Sequence, residues 1–190
     1  MRTLVVSAIA LAAATATPAL AQDGDFTGPH AEVVAGWDHV SADGEGQSGF
    51  TYGGSIGYDY QIGSLVVGVS GEVTGSTTDR SFHDVATAGD TLKSEAGRDY
   101  YAGGRIGYVV MPQTLVYGSV GYTNARVNYD YNTGTNVGNF ERHDDLDGIR
   151  LGAGVERDFG PFLGKIEYRY SNYEQDFSRH QVLAGLGVRF

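Results

Sequence analysis

The sequence predicts an all-β fold, an eight-stranded antiparallel up-and-down transmembrane β-barrel, and three observations carry that expectation. Apolar and polar residues alternate with period two, the strand period, through about eight segments. Mean hydropathy is only −0.23, and beyond Gln22 no run suits an uninterrupted spanning helix. The connections alternate between short and long. A barrel reconciles the first two, because only alternate residues need be apolar when lipid lies outside and polar groups inside.

Residues Met1 to Ala21 read as a cleaved secretory signal peptide. Arg2 supplies the positive n-region, Leu4 to Ala14 the apolar h-region, and Ala19-Leu20-Ala21 the small-residue cleavage site. An uncleaved anchor helix is the alternative, and Pro18 with the small residues before Gln22 favours the peptidase. The expected domain is then residues 22–190, delivered across the inner membrane.

In the first segment, Ala31 to His39, Ala31, Val33, Ala35 and Trp37 oppose Glu32, Gly36 and Asp38. The second, Gly49 to Tyr60, sets Phe50, Tyr52, Gly54, Ile56, Tyr58 and Tyr60 against Thr51, Gly53, Ser55, Gly57 and Asp59. In the third, Leu65 to Gly75, Leu65, Val67, Val69 and Val73 face away from Gly68, Ser70, Glu72 and Thr74. The fourth, Arg98 to Val109, opposes Tyr100, Ala102, Ile106 and Tyr108 to Asp99, Tyr101, Gly103, Arg105 and Gly107.

The fifth, Leu115 to Val127, leaves its register open. Val116, Val120 and Tyr122 suit the outside, but Leu115 and Tyr117 lie on the other parity. The uncharged run Ile106 to Ala125 spans these two segments; Pro112 within a helix would cost roughly 3 kcal/mol, so Met111-Pro112-Gln113-Thr114 reads as a turn. In the sixth, Gly148 to Arg157, Ile149, Leu151, Ala153 and Val155 oppose Arg150, Gly152, Gly154 and Glu156. The seventh alternates Ile166, Tyr168 and Tyr170 with Lys165, Glu167, Arg169 and Ser171. The last sets Val182, Ala184, Leu186, Val188 and Phe190 against Gln181, Gly185, Gly187 and Arg189, with Leu183 the apolar exception.

Gln61–Ser64, Met111–Thr114 and Asp158–Pro161 are short turns. Ser41–Ser48, Ser76–Glu95 and Tyr129–Asp147 are longer, polar and acidic, and Asn172–Ser178 is intermediate. Short periplasmic turns and long extracellular loops are the asymmetry of such barrels, and an even strand count puts both termini in the periplasm.

The whole chain carries 13 basic and 23 acidic residues, net −10. Without the signal segment and its Arg2 the net charge is −11. This excludes a nucleic-acid binder built on a basic patch. Cysteine is absent, so disulfides and thiolate chemistry are excluded.

The inward positions carry Glu32, Glu72, Asp99, Arg105, Arg150, Glu156, Lys165, Glu167 and Arg169, together with Asp38, Asp59 and Arg189. Eight strands leave an interior just wide enough to be filled by side chains, so these residues are expected to pair as a lumen charge network. The last three serve equally well as rim residues in water. Glycine, 29 of 190, recurs inward at Gly53, Gly57, Gly103, Gly107, Gly152 and Gly154, making room for long neighbours. No glycine-rich phosphate loop precedes a helix. Trp37, Tyr52, Tyr58, Tyr60, Tyr108, Tyr168 and Tyr170 are expected to form interfacial aromatic belts; a carbohydrate-stacking groove is the rival.

A catalytic site would need a histidine, a serine and an orienting acid. His39 and Ser41 are the candidates, while His180 reads as an interfacial residue. The stretch His143-Asp144-Asp145-Leu146-Asp147 lacks the spacing of a defined calcium loop. No catalytic residue, cofactor or metal is therefore assigned.

Gly57-Tyr58-Asp59-Tyr60, Arg105-Ile106-Gly107-Tyr108, Gly152-Ala153-Gly154-Val155-Glu156, Lys165-Ile166-Glu167-Tyr168-Arg169-Tyr170 and the terminal Phe190 resemble the small outer-membrane β-barrels of the opacity-protein / Omp25-like porin family. The resemblance covers the strands and is absent from the loops. It implies a surface or envelope protein of a Gram-negative cell outer membrane, in contact with outer-membrane lipid and lipopolysaccharide. It also implies that Ala184, Leu186, Val188 and Phe190 form the signal read by the barrel-assembly machinery. The resulting expectation is a non-enzymatic structural or surface-interaction protein, acting through acidic extracellular loops on an unknown extracellular partner. A narrow porin for small solutes is the first alternative, and a lipid A-modifying enzyme the second.

Overall fold

A computed structural model describes residues 26–42, 45–77, 79–83, 91–132, 140–173 and 178–190. The expected signal peptide, Met1–Ala21, lies outside these residues. Among the described residues nine strands form: β1 (Gly28–Ala42), β2 (Glu45–Ile62), β3 (Leu65–Ser76), β4 (Asp79–His83), β5 (Thr91–Met111), β6 (Thr114–Asn132), β7 (Phe140–Phe159), β8 (Phe162–Tyr173) and β9 (Ser178–Arg189). β4 continues β3 along one edge of β5, since Gly75 pairs with Arg98 and, past a break, Asp79 pairs with Glu95. The nine strands therefore make eight staves. β1 pairs with both β2 and β9, and β3 pairs with β5, so the sheet closes with every pairing antiparallel. Closure removes the free edges that lipid could not hydrogen-bond. Among the described residues no helix is long and apolar enough to cross a membrane.

Three two-residue turns close one end. Gly63 and Gly160 supply left-handed φ values of 63° and 71°, and Gln113 takes φ 63° after Pro112, the arrangement of a type II turn with Pro in its second position. At the other end the strands run further than side-chain alternation predicted. β5 and β6 stay paired out to Thr91 and Asn132, and β4 falls within the stretch 76–95 expected as loop. Backbone ladders do not require apolar side chains, so pairing outlasts the hydrophobic pattern.

The side of each strand that meets solvent or lipid is inverted relative to a soluble protein. Val33, Ile166 and Leu186 are 67%, 66% and 69% exposed, while Lys165, Glu167 and Arg169 next to Ile166 are buried. In β6, Val116, Val120 and Tyr122 face outward, and Leu115 and Tyr117 face inward. The inward pair has a partner that sequence gave no sign of: Phe26 enters the turn end of the barrel and packs with Val66, Leu115 and Tyr117. Its backbone N–H donates to Gln61 Oε1 at 2.8 Å.

Close approach fixes two of the inward glycines. A Cβ at Gly154 would stand 2.7 Å from the Tyr117 hydroxyl and 2.8 Å from the Ile166 carbonyl, and one at Gly152 would stand 2.6 Å from Glu167 Oε1. Tyr117 and Glu167 can cross the lumen only because those side chains are missing.

Candidate functional site: the filled lumen and its outer faces

The inward side chains of all eight staves converge on one column of charge. At the turn end, above Phe26, two carboxylates and two guanidiniums close a ring. Arg105 reaches Asp59 and, at 2.7 Å, Glu156; Arg189 reaches Asp59 at 2.9 Å and Glu156 at 2.5 Å. Arg189 also lies 5.4 Å above the Phe26 ring, donates to the Phe26 carbonyl at 2.7 Å and stands 3.4 Å from Asp158. His30 bridges upward, 3.2 Å from Asp59 and 3.4 Å from Glu32.

Midway, Lys165 Nζ lies 2.5 Å from Glu32 and 3.7 Å from Glu167. Glu167 accepts from the Tyr117 hydroxyl at 3.0 Å and from Arg169 at 3.1 Å. Arg169 holds Glu72 in a two-point fork of 2.5 and 2.8 Å, the planar geometry that suits guanidinium to carboxylate.

Toward the loop end, Arg150 joins Glu72 at 3.4 Å to Asp99 at 2.5 Å. Asp99 is a hub: one oxygen takes donors from Arg150, Arg179 and the Tyr173 hydroxyl, and the other takes one from Thr123 at 2.6 Å. Arg179 then forks onto Asp38 at 2.7 and 2.5 Å, which also accepts from Ser76 at 2.8 Å.

Among the described residues the column thus contains eight buried carboxylates, six buried Lys or Arg side chains and His30. Every carboxylate lies within 4 Å of a lysine or arginine nitrogen. An isolated ion here would cost several kcal/mol in desolvation, and mutual pairing offsets that cost.

The structure brings together all nine residues singled out for the lumen, Glu32, Glu72, Asp99, Arg105, Arg150, Glu156, Lys165, Glu167 and Arg169. Asp38, Asp59 and Arg189, for which a wet rim was the open alternative, are 0%, 0% and 2% exposed. Sequence reasoning missed Arg179, His30 and Asp158, all on the inward parity: His30 and Asp158 lie just past the limits set for their strands, and Arg179 opens the last strand ahead of the alternation read in it. It also missed Phe26, which follows no alternation.

On the outer face, Trp37, Tyr52, Tyr168 and Tyr170 lie toward the loop end, and Tyr58, Tyr60 and Tyr108 toward the turn end. His180 sits over Tyr170 with centroids 4.9 Å apart, its Nδ1 2.7 Å from the Tyr168 hydroxyl. His39 stacks on Trp37 and meets Ser48, at 3.0 Å, rather than Ser41. No carboxylate is bonded to His39 among the described residues. No group of three or more histidine or acidic side chains among the described residues could hold a metal. Ala184, Leu186 and Val188 line the outer face of β9, and the Phe190 N–H donates to the Pro29 carbonyl at 2.9 Å.

A closed antiparallel barrel of eight staves, apolar outside and ionic inside, with short turns at one end and long connections at the other, is an integral outer-membrane barrel. The family model described as "Outer membrane protein beta-barrel domain" matches residues 7–190, and the chain belongs to that family, in the cell outer membrane. Among solved structures it is similar to Ail, the attachment invasion locus protein of Yersinia pestis, in complex with the heparin analogue sucrose octasulfate. The identity is 17%, over 86% of this chain and 99% of that one, with a TM-score of 0.59. It is also similar to Neisserial surface protein A, with 17% identity over 86% and 98% and a TM-score of 0.59. No curated protein sequence matches the chain.

Proposed function

We propose that this barrel is a non-enzymatic surface-interaction protein that meets its partners through its extracellular loops and does not conduct solutes. The observation that carries this reading is the filled lumen. The space left among His30, Glu32, Tyr101, Arg105 and Arg169 amounts to about 20 Å³, room for about one water molecule. With the interior occupied and the wall in lipid, the loop rim is the surface left for recognition.

That rim is acidic. Segments 41–48, 76–95, 129–147 and 172–178 hold thirteen of the acidic residues against three basic ones. Ail was solved with a polysulfated ligand; like-charge repulsion disfavours such a ligand here. A cationic partner, or lipopolysaccharide phosphate bridged by divalent cations, fits instead. The barrel refolded into planar bilayers is expected to leave conductance at baseline, and overexpression to leave lipid A masses unchanged. A steady open channel would establish the narrow porin, and a new lipid A mass would establish the lipid A-modifying enzyme.

Ala184, Leu186, Val188 and Phe190 are further proposed as the assembly signal. Deleting Phe190 is expected to cut the amount of heat-modifiable barrel in cells sharply, while the purified variant still refolds in detergent. Equal loss in both settings would make Phe190 a stability residue instead.

A further inference from the structure

Among the described residues, charge on the lipid-facing side is confined to two levels. Arg98, Arg126, Asp145 and Asp147 stand at the loop end, and Arg157 at the turn end. Arg126 is held by Asp145 through two hydrogen bonds of 2.7 and 2.8 Å, and Asp147 accepts from Tyr122 and Asn124. Arg98 and Arg157 have no carboxylate within ion-pair distance among the described residues. Each lies instead over an aromatic ring two residues along its own strand, Arg98 4.9 Å from the Tyr100 centroid and Arg157 5.8 Å from that of Phe159.

A guanidinium stacked on a ring uses its face and leaves the N–H donors along its edge free, in the planar fork that fits phosphate. The cross-strand neighbours bring no side chain of their own against either guanidinium, because Arg98 pairs across to Gly75 and Arg157 to Gly164; Phe159 and Leu186 cover Gly164. Tyr52 lies across Gly75, its hydroxyl 3.8 Å from where a Cβ there would stand, and adds a second donor beside Arg98.

We propose that Arg98 with Tyr100, and Arg157 with Phe159, are two lipid-phosphate sites, one for each leaflet of the outer membrane. Arg98 takes a phosphate of the outer-leaflet glycolipid, and Arg157 that of an inner-leaflet phospholipid. Their separation fits. Arg98 sits at the β5 bulge opposite the region of Arg126, which is bonded to Asp145 on β7. From Asp145 down β7 to Arg157, at ~3.3 Å per residue and a tilt of about 40°, is roughly 30 Å along the membrane normal. That matches the hydrocarbon thickness between two phosphate planes. An unpaired arginine is costly in hydrocarbon and tolerated at the interface, and both sit at an interface. The proposal rests on the outer-membrane location alone and is independent of what the loops bind.

The test is native mass spectrometry of the refolded barrel in maltoside micelles, which carry no phosphate, with lipid A, dephosphorylated lipid A or phosphatidylglycerol added. Arg98→Gln is expected to weaken lipid A binding about tenfold, the effect of losing a charge-assisted hydrogen bond. Phosphatidylglycerol binding at Arg157 is retained, and Arg157→Gln gives the converse. Arg98→Lys, with the charge but without the fork, recovers part of the loss. Dephosphorylated lipid A binds wild type and Arg98→Gln alike, and millimolar inorganic phosphate does not displace lipid A. The proposal is overturned if Arg98→Gln binds lipid A as wild type does, if its preference for phosphorylated lipid A survives, or if inorganic phosphate competes. Neither arginine belongs to the lumen network, so both variants keep the heat-modifiable mobility of the folded barrel.

Discussion

Replacing Arg105 with methionine is expected to remove roughly 3–5 kcal/mol of barrel stability, the cost of breaking a buried ion pair from one side. Arg105 closes the ring with Asp59, Glu156 and Arg189. Its loss leaves two carboxylates, each 0% exposed, sharing one arginine, with His30 beside Asp59. The size of the effect comes from the stranded charges rather than from the lost attraction, and that distinction can be measured. Adding Asp59→Asn to Arg105→Met is expected to recover part of the loss, because it removes one stranded carboxylate. Arg126→Met, which breaks an exposed pair with Asp145, is expected to cost within about 1 kcal/mol. Denaturant unfolding of the refolded barrel in liposomes reads all three. If Arg105→Met costs no more than Arg126→Met, the lumen is wet enough to screen its charges and the filled-column description fails.

The contrast between these two arginines marks how far the sequence could be read. Parity alone separates Lys165, Glu167 and Arg169 from Ile166, Tyr168 and Tyr170, because period two admits no other assignment once lipid is outside. Parity also held the information for Arg179, His30 and Asp158. They were missed because the alternation is legible only while its apolar half persists, whereas the backbone ladder and the inward half continue beyond it.

Partners are another matter. Arg169 and Glu72 are 97 residues apart, and Arg179 and Asp38 are 141 apart. Which inward charges meet is set by strand tilt and stagger around a closed sheet, and these leave no trace in any one strand. Phe26 was invisible for a different reason: it is a lone aromatic in a polar stretch, and its role exists only once Val66, Leu115 and Tyr117 are gathered at the turn end.

Ile166→Arg is expected to destabilise the barrel in bilayers by ~2–4 kcal/mol, the cost of an arginine facing lipid near the midplane. Ile166 is 66% exposed and pairs with Val155 and Ala184, midway along β8 between Phe162 at the turn end and Tyr170 at the loop end. In a water-soluble barrel of identical shape the same substitution would be neutral, since the side chain touches little protein. The cost should fall toward the interface, so that Tyr170→Arg, in the aromatic belt, costs about 0–1 kcal/mol. One residue away the rule inverts. Lys165→Ile replaces a charge with a hydrocarbon, yet it strands Glu32, whose Lys or Arg partner is Lys165 at 2.5 Å, and should also destabilise. Liposome unfolding of the three variants decides the matter. Should Ile166→Arg and Lys165→Ile both prove harmless, hydrocarbon is not on the outside of this sheet, and the orientation of every strand in the barrel is wrong.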